Sequence, residues 1–240
     1  MRRASMLAAV VAVLVVAFAG VASAAVITCT GGRCEGTPQA DGITGTDMRD
    51  RIFAFNGFDE VLAGAGRDEL YGDNLGDRLG GEEGSDTYFG GSGADDLSEF
   101  AGDFDNADSG NDVMNGGGGP DFIDGNEGDD VLRGQAGDDT GDAGDPGDVA
   151  MYGYLGDDDL YGGTGDDGMV GEEGADELYG GPDNDFIDAA GSESVGTPDL
   201  VDGGDGYDVC RVNDNDDPVV NCERIEPEPD PTPVTAAGAR

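Results

Sequence analysis

Six aspartates stand nine residues apart: Asp50, Asp59, Asp68, Asp77, Asp86 and Asp95. A carboxylate is a hard oxygen donor suited to a hard cation, and equal spacing means that one coordinating position has been copied along the chain. The spacing resumes downstream. A second run carries Asp112, Asp121, Asp130, Asp139 and Asp148, a third Asp158, Asp167, Asp176 and Asp185, and a last pair is Asp199 and Asp208. The phase breaks at 99–106, by one residue near Tyr152, and at 189–193, and the runs together make 17 units.

A large apolar side chain follows two residues after each of the first six aspartates: Ile52, Val61, Leu70, Leu79, Tyr88 and Leu97. With the unit numbered one to nine, glycine favours positions one, two and four, aspartate holds six and the apolar residue holds eight. Gly90-Gly91-Ser92-Gly93-Ala94-Asp95-Asp96-Leu97-Ser98 and the stretch 162–170 are the best copies. Glycine suits a tight turn with positive φ. The last three positions have room only for a short strand whose middle side chain points inward. A turn of six and a strand of three make the chain wind, which excludes an ordinary globular core.

This nonapeptide, G-G-x-G-x-D-x-U-x, resembles that of the hemolysin-type calcium-binding (repeats-in-toxin, RTX) family. The ending, Gly203-Gly204-Asp205-Gly206-Tyr207-Asp208-Val209-Cys210 followed by Cys222-Glu223, is similar to that of secreted bacterial calcium-binding proteins of the family. The resemblance implies an all-β fold, a right-handed parallel β-roll (β-solenoid) with two units per turn and several calcium ions between stacked loops. It makes metal ligands of Asp50, Asp59, Asp68, Asp77, Asp86, Asp95, Asp112, Asp121, Asp130, Asp139, Asp158, Asp167, Asp176, Asp185, Asp199 and Asp208.

With two units per turn, aspartates two units apart lie about one strand spacing, ~4.8 Å, above one another. Asp50, Asp68 and Asp86 then line one edge, and Asp59, Asp77 and Asp95 the other. Bare carboxylates so placed repel, and an ion between successive loops converts that repulsion into cohesion. If phase breaks interrupt binding, the runs hold about nine ions. Folding is then linked to binding. Loops in which Met48, Leu75 or Asp183 replaces the position-four glycine, or Ala54-Phe55 the first two positions, are expected to bind weakly. Gly141 and Ala150 fall at the inward position and predict a core hole and a loose turn near 139–151.

The chain has a net charge of −43, with 54 acids against 11 Lys plus Arg and no His. All 11 basic residues are arginines. Phosphates would be repelled, so nucleic acid is not a partner. Such a composition stays disordered unless a cation neutralises it, and extracellular calcium fits. A His-dependent catalytic triad is excluded, and neither 25–44 nor the stretch beyond 212 has room for a catalytic domain. The expected activity is therefore calcium binding without catalysis.

Arg2 and Arg3, an apolar run at 6–20 and Ala22-Ser23-Ala24 form a secretory signal peptide cut near Ala24/Ala25. The run is short for a membrane span and no stop-transfer cluster follows, so no stable membrane insertion is expected. Four cysteines remain, Cys29/Cys34 and Cys210/Cys222, for which local pairing is the simplest of three connectivities. The expected organisation is signal peptide 1–24, lead-in 25–44, repeats 45–211, a Cys-capped end 212–226 and a disordered tail 227–240. The rival to a plain calcium-binding role is a calcium-stiffened surface or matrix adhesin with a cell-envelope partner. No basic or aromatic patch in the sequence marks a face for one.

Overall fold

The computed structural model describes residues 25–98, 110–140, 149–189, 198–212 and 219–227. The expected signal peptide at 1–24 and, apart from Pro227, the expected tail at 227–240 lie outside them. The described residues form 21 strands that alternate strictly between two sheets of 11 and 10 strands. Every pairing is parallel and joins strands two apart in sequence, such as Ile52 to Leu70 and Leu70 to Tyr88 in one sheet and Val61 to Leu79 in the other. The chain is thus a parallel β-roll, one strand per sheet in each winding. Among the described residues no helix is long and apolar enough to cross a membrane.

The roll is longer than the glycine pattern indicates. Ala25–Thr28, Gly32–Glu35 and Asp41–Thr44, inside the expected lead-in, are its first three strands, and Val219–Val220 and Arg224–Pro227 are its last two. Cys29 is bonded to Cys34 and Cys210 to Cys222, one disulfide at each end. Cys34 and Cys210 both occupy inward positions, facing Ile52 and Ile187 across the strand pairs. The bridges tie down end windings that have a neighbour on one side only.

The position-eight side chains from Ile43 to Cys210 form the core, each at most 1% exposed. One large apolar side chain per nine residues contributes about 1.5–3 kcal/mol per unit. That is a thin core, so the turns must add cohesion of their own. From Phe55 on, position two takes positive φ in the described units, whether glycine is there (Gly163, φ 118°) or not (Gln135, φ 79°; Tyr154, φ 73°; Glu172, φ 75°).

Of the two expected core holes, Gly141 lies outside the described residues, and beside Ala150 the inward place is taken by Met151. Met151 pairs with Ile123 on one side and Met169 on the other, and is fully buried. The extra residues enter after Asp139 and before the strand Met151–Leu155, so phase counted along the sequence assigns the wrong inward residue. Residues 141–148 of this excursion lie outside the described residues.

The roll also creates an aromatic column that the sequence hides. Phe53, Tyr71 and Phe89, all at position nine, stack with ring centroids 4.7 and 4.8 Å apart, and the Arg33 guanidinium lies 4.1 Å from the Phe53 centroid. Tyr161 and Tyr179 repeat the stack further along, 5.0 Å apart. The ring faces cover one another, so the column adds cohesion to the sheet's outer surface.

Candidate metal centre

Each position-six aspartate ends a turn at the mouth of a strand, most one residue before it, which leaves its carboxylate under the turn that stacks upon it. All sixteen expected ligands are at most 2% exposed. They fall into two ladders, in each of which the backbone N–H of one aspartate donates to Oδ1 of the aspartate one winding on. One edge runs Asp59, Asp77, Asp95, Asp121, Asp139, Asp167, Asp185, Asp208, with distances of 2.8–3.0 Å. The other runs Asp50, Asp68, Asp86, Asp112, Asp130, Asp158, Asp176, Asp199, at 2.6–2.9 Å.

The phase breaks do not interrupt either ladder. Rungs ordinarily 18 residues apart become 26 apart from Asp95 to Asp121, 28 from Asp130 to Asp158 and 23 from Asp176 to Asp199. Asp148, assigned to the second run by phase, lies outside the described residues, and the rung beyond Asp130 is Asp158.

From Asp59 and Asp68 onward Oδ1 is thus satisfied by the protein, and the carboxylate's other oxygen is Oδ2. In Asp59, Asp68, Asp77, Asp95, Asp121, Asp139, Asp158, Asp167, Asp176, Asp185 and Asp208 this oxygen is buried with no hydrogen-bond partner. A buried unsatisfied acceptor costs about 1–3 kcal/mol, and more when charged. Its direction is informative. A Cβ at Gly90 would lie 2.6 Å from Asp95 Oδ2 and 2.5 Å from the Gly116 carbonyl oxygen, and one at Gly162 would lie 2.6 Å from Asp167 Oδ2 and 2.7 Å from the Gly180 carbonyl oxygen. Position one is therefore glycine for want of space, not for its φ. Each such turn leaves a cradle where an orphaned carboxylate oxygen and a backbone carbonyl from the next winding converge.

Burial pushes these carboxyls above the ordinary carboxylate range. It raises Asp59, Asp68, Asp95 and Asp139 to about 6, Asp77, Asp158, Asp176 and Asp185 to about 7, and Asp121 and Asp167 to about 8. The ladder hydrogen bond opposes that rise, and at most rungs the charge of neighbouring aspartates adds to it. A divalent cation would remove both sources of the rise. Among the described residues no three acidic or cysteine side chains gather into a ready-made metal cluster. Backbone carbonyls must therefore complete the oxygen shell. Mixed carboxylate and carbonyl oxygen is a calcium donor set, whereas zinc and copper favour nitrogen and sulfur.

Not every turn has an open cradle. Ala54 and Ala63, both fully buried, put a methyl group at position one ahead of Asp59 and Asp68. Sequence inspection picked out Ala54 and missed Ala63. Leu75 and Asp183 follow the turn at position four with φ of 73° and 89°. The ladder also has two members beyond the expected set. Asp41, nine residues before Asp50 and two before Ile43, donates to Asp59 Oδ1 at 2.7 Å; the absence of glycine at its positions two and four hid it. Glu223 ends the same edge by accepting the Asp208 N–H at 2.9 Å. Near the start, threonine stands in for position-two glycine: Thr46 donates its N–H and hydroxyl to Asp50 Oδ2, both at 2.8 Å, and leaves Oδ1 without a partner.

Oxygen-lined cradles repeated along both edges of a parallel β-roll define a calcium-binding repeat protein. A family model described as the RTX calcium-binding nonapeptide repeat (4 copies) matches residues 44–79, 77–97, 106–140, 143–169 and 169–192. That is more than half of the chain, which belongs to this family. No curated protein matches it.

Proposed function

We propose that the chain is an exported protein whose roll folds as it binds a series of calcium ions, and that it has no catalytic role. The observation that carries this reading is the row of buried Oδ2 atoms without partners, those of Asp77, Asp95, Asp139, Asp158, Asp167 and Asp185 beside a position-one carbonyl of the next winding. The ions would sit between successive windings. Their ligands would be Asp77, Asp95, Asp121, Asp139, Asp158, Asp167, Asp176, Asp185 and Asp208, with Asp86, Asp112, Asp130 and Asp199 at equivalent rungs. Asp59 and Asp68, with methyl groups at position one, and Asp50, half satisfied by Thr46, would bind weakly. The count of about nine ions assumed that phase breaks stop binding. Because the ladders run through the breaks, the count should exceed nine.

Export is supported by the A-x-A leader and by two disulfides, which persist in oxidising compartments. Calcium outside the cell would then meet a chain that self-repulsion had kept open. Far-UV circular dichroism of the chain from Ala25 onward, in calcium and in chelator, tests the coupling. A disordered spectrum in chelator and a β-rich one in calcium are expected, and β-rich spectra in both would overturn it.

A further inference from the structure

The first rung of the longer ladder is closed by a different donor. The main-chain nitrogen of Ala25 lies 3.1 Å from Oδ1 of Asp41, which is 3% exposed. At later rungs that place belongs to the peptide N–H of a position-six aspartate. Thr37 occupies the rest of the carboxylate, its N–H on Oδ2 at 2.5 Å and its hydroxyl on Oδ1 at 3.1 Å. Both Asp41 oxygens are therefore engaged by protein donors, and no cradle oxygen remains for a cation. Among the described residues Asp41 has no arginine partner. A buried carboxylate in this setting calls for positive charge, which a peptide N–H does not carry.

We propose that removal of the leader after Ala24 supplies that charge: the freed α-ammonium of Ala25 pairs with Asp41 and locks the first winding. The inference rests on the reading that the chain is exported and cut before Ala25. A peptidase and one water break the Ala24–Ala25 peptide bond, leaving a carboxylate on Ala24 and an amine on Ala25. An α-amine has an ordinary pKa of about 7.7–8 and is largely protonated near neutral pH. A hydrogen bond with charge on the acceptor alone then becomes an ion pair with charge on both partners in the same place. Before cleavage the first winding has only the weaker bond. Processing would thus stabilise the end from which the stack of windings grows.

The sequence lacks lysine, so the α-amine of Ala25 would be the only primary amine of the mature chain. Its reaction with an acylating ester at pH 7.5 therefore reports on this one group. In the calcium-loaded chain starting at Ala25, labelling should slow at least about tenfold relative to the chelator-treated chain, since a factor of ten corresponds to about 1.4 kcal/mol. Nα-acetylation should lower the thermal midpoint in calcium by about 2–4 °C. Acetylation of the Asp41→Asn variant should change its midpoint little. Equal labelling in calcium and chelator, or the same acetylation shift in both backgrounds, would overturn the pair, and the labelling result stands even if Asp41→Asn does not fold. Mass spectrometry of the secreted protein is a separate arm. A first residue other than Ala25 overturns the cleavage reading and the proposal with it, whereas Ala25 without protection overturns the ion pair alone.

Discussion

The backbone N–H of Asp139 donates to Oδ1 of Asp167 at 3.0 Å across 28 residues of chain, where Asp167 meets Asp185 in the same way across 18. The rung geometry is the same on both sides of the insertion. The repeat is thus conserved in space where it is broken in sequence, because a rung is defined by one hydrogen bond and one inward side chain, and neither depends on what loops out between them. Loop-closure entropy rises by only about 0.6 kcal/mol for each doubling of loop length, so such excursions are cheap.

Asp167→Asn separates the two oxygens of a rung. Asparagine keeps Oδ1 as acceptor for the Asp139 N–H and replaces Oδ2 by an amide NH2, which can donate toward the Gly180 carbonyl. The calcium-free roll loses a buried charge, whereas the loaded roll loses a ligand. Bound calcium should fall by about one ion per chain, and the folding midpoint should move to higher calcium. The β-sheet content in chelator should not fall. Competition with a chelating dye, followed alongside circular dichroism, reads all three quantities. Unchanged stoichiometry and midpoint would remove Asp167 from the ligand set.

Met151 separates the core as folded from the core as counted. It is fully buried between Ile123 and Met169, and truncation to alanine leaves a cavity in a core only one side chain thick. Met151→Ala should cost about 2–5 kcal/mol in urea unfolding at saturating calcium. A loss below 1 kcal/mol would mean that the winding around Asp139 is already loose.

Period and inward residue could be read from the nine-residue ladder, and the two-sheet winding from the family resemblance; strand length could not, because strands such as Glu69–Asn74 and Thr87–Ser92 run six residues, on into the glycine turn. The role of the first glycine was only half legible: composition identified it, but the reason for it is an oxygen of Asp95 or Asp167 in the space of a side chain, which lies across a turn. Asp41 and Glu223 were missed because their turns depart from the glycine pattern, although the rung contact survives. Met151 and the Phe53–Tyr71–Phe89 column were hidden for a further reason. Their neighbours lie a full winding away, and an insertion or an 18-residue gap conceals that adjacency from any local reading of the chain.

The raised carboxyls give calcium-free folding a definite pH dependence. Asp121 and Asp167 are raised to about 8 and Asp77, Asp158, Asp176 and Asp185 to about 7, from an ordinary 3.8. A carboxyl whose pKa is raised by folding binds its proton more tightly in the folded state. Between roughly pH 4 and pH 8 the roll therefore holds more protons than the unfolded chain, and its stability rises as pH falls through that window. Above it the buried charges oppose folding in full. Calcium supplies the positive charge in place of protons, so the loaded roll should not show this dependence at neutral and mildly acid pH. In chelator, β-sheet ellipticity should grow between pH 8 and pH 5, whereas at saturating calcium it should stay level over the same range. A chelator-treated chain as disordered at pH 5 as at pH 8 would show that protons cannot stand in for the ion, and that closing the roll requires the cation's bridging between windings as well as its charge.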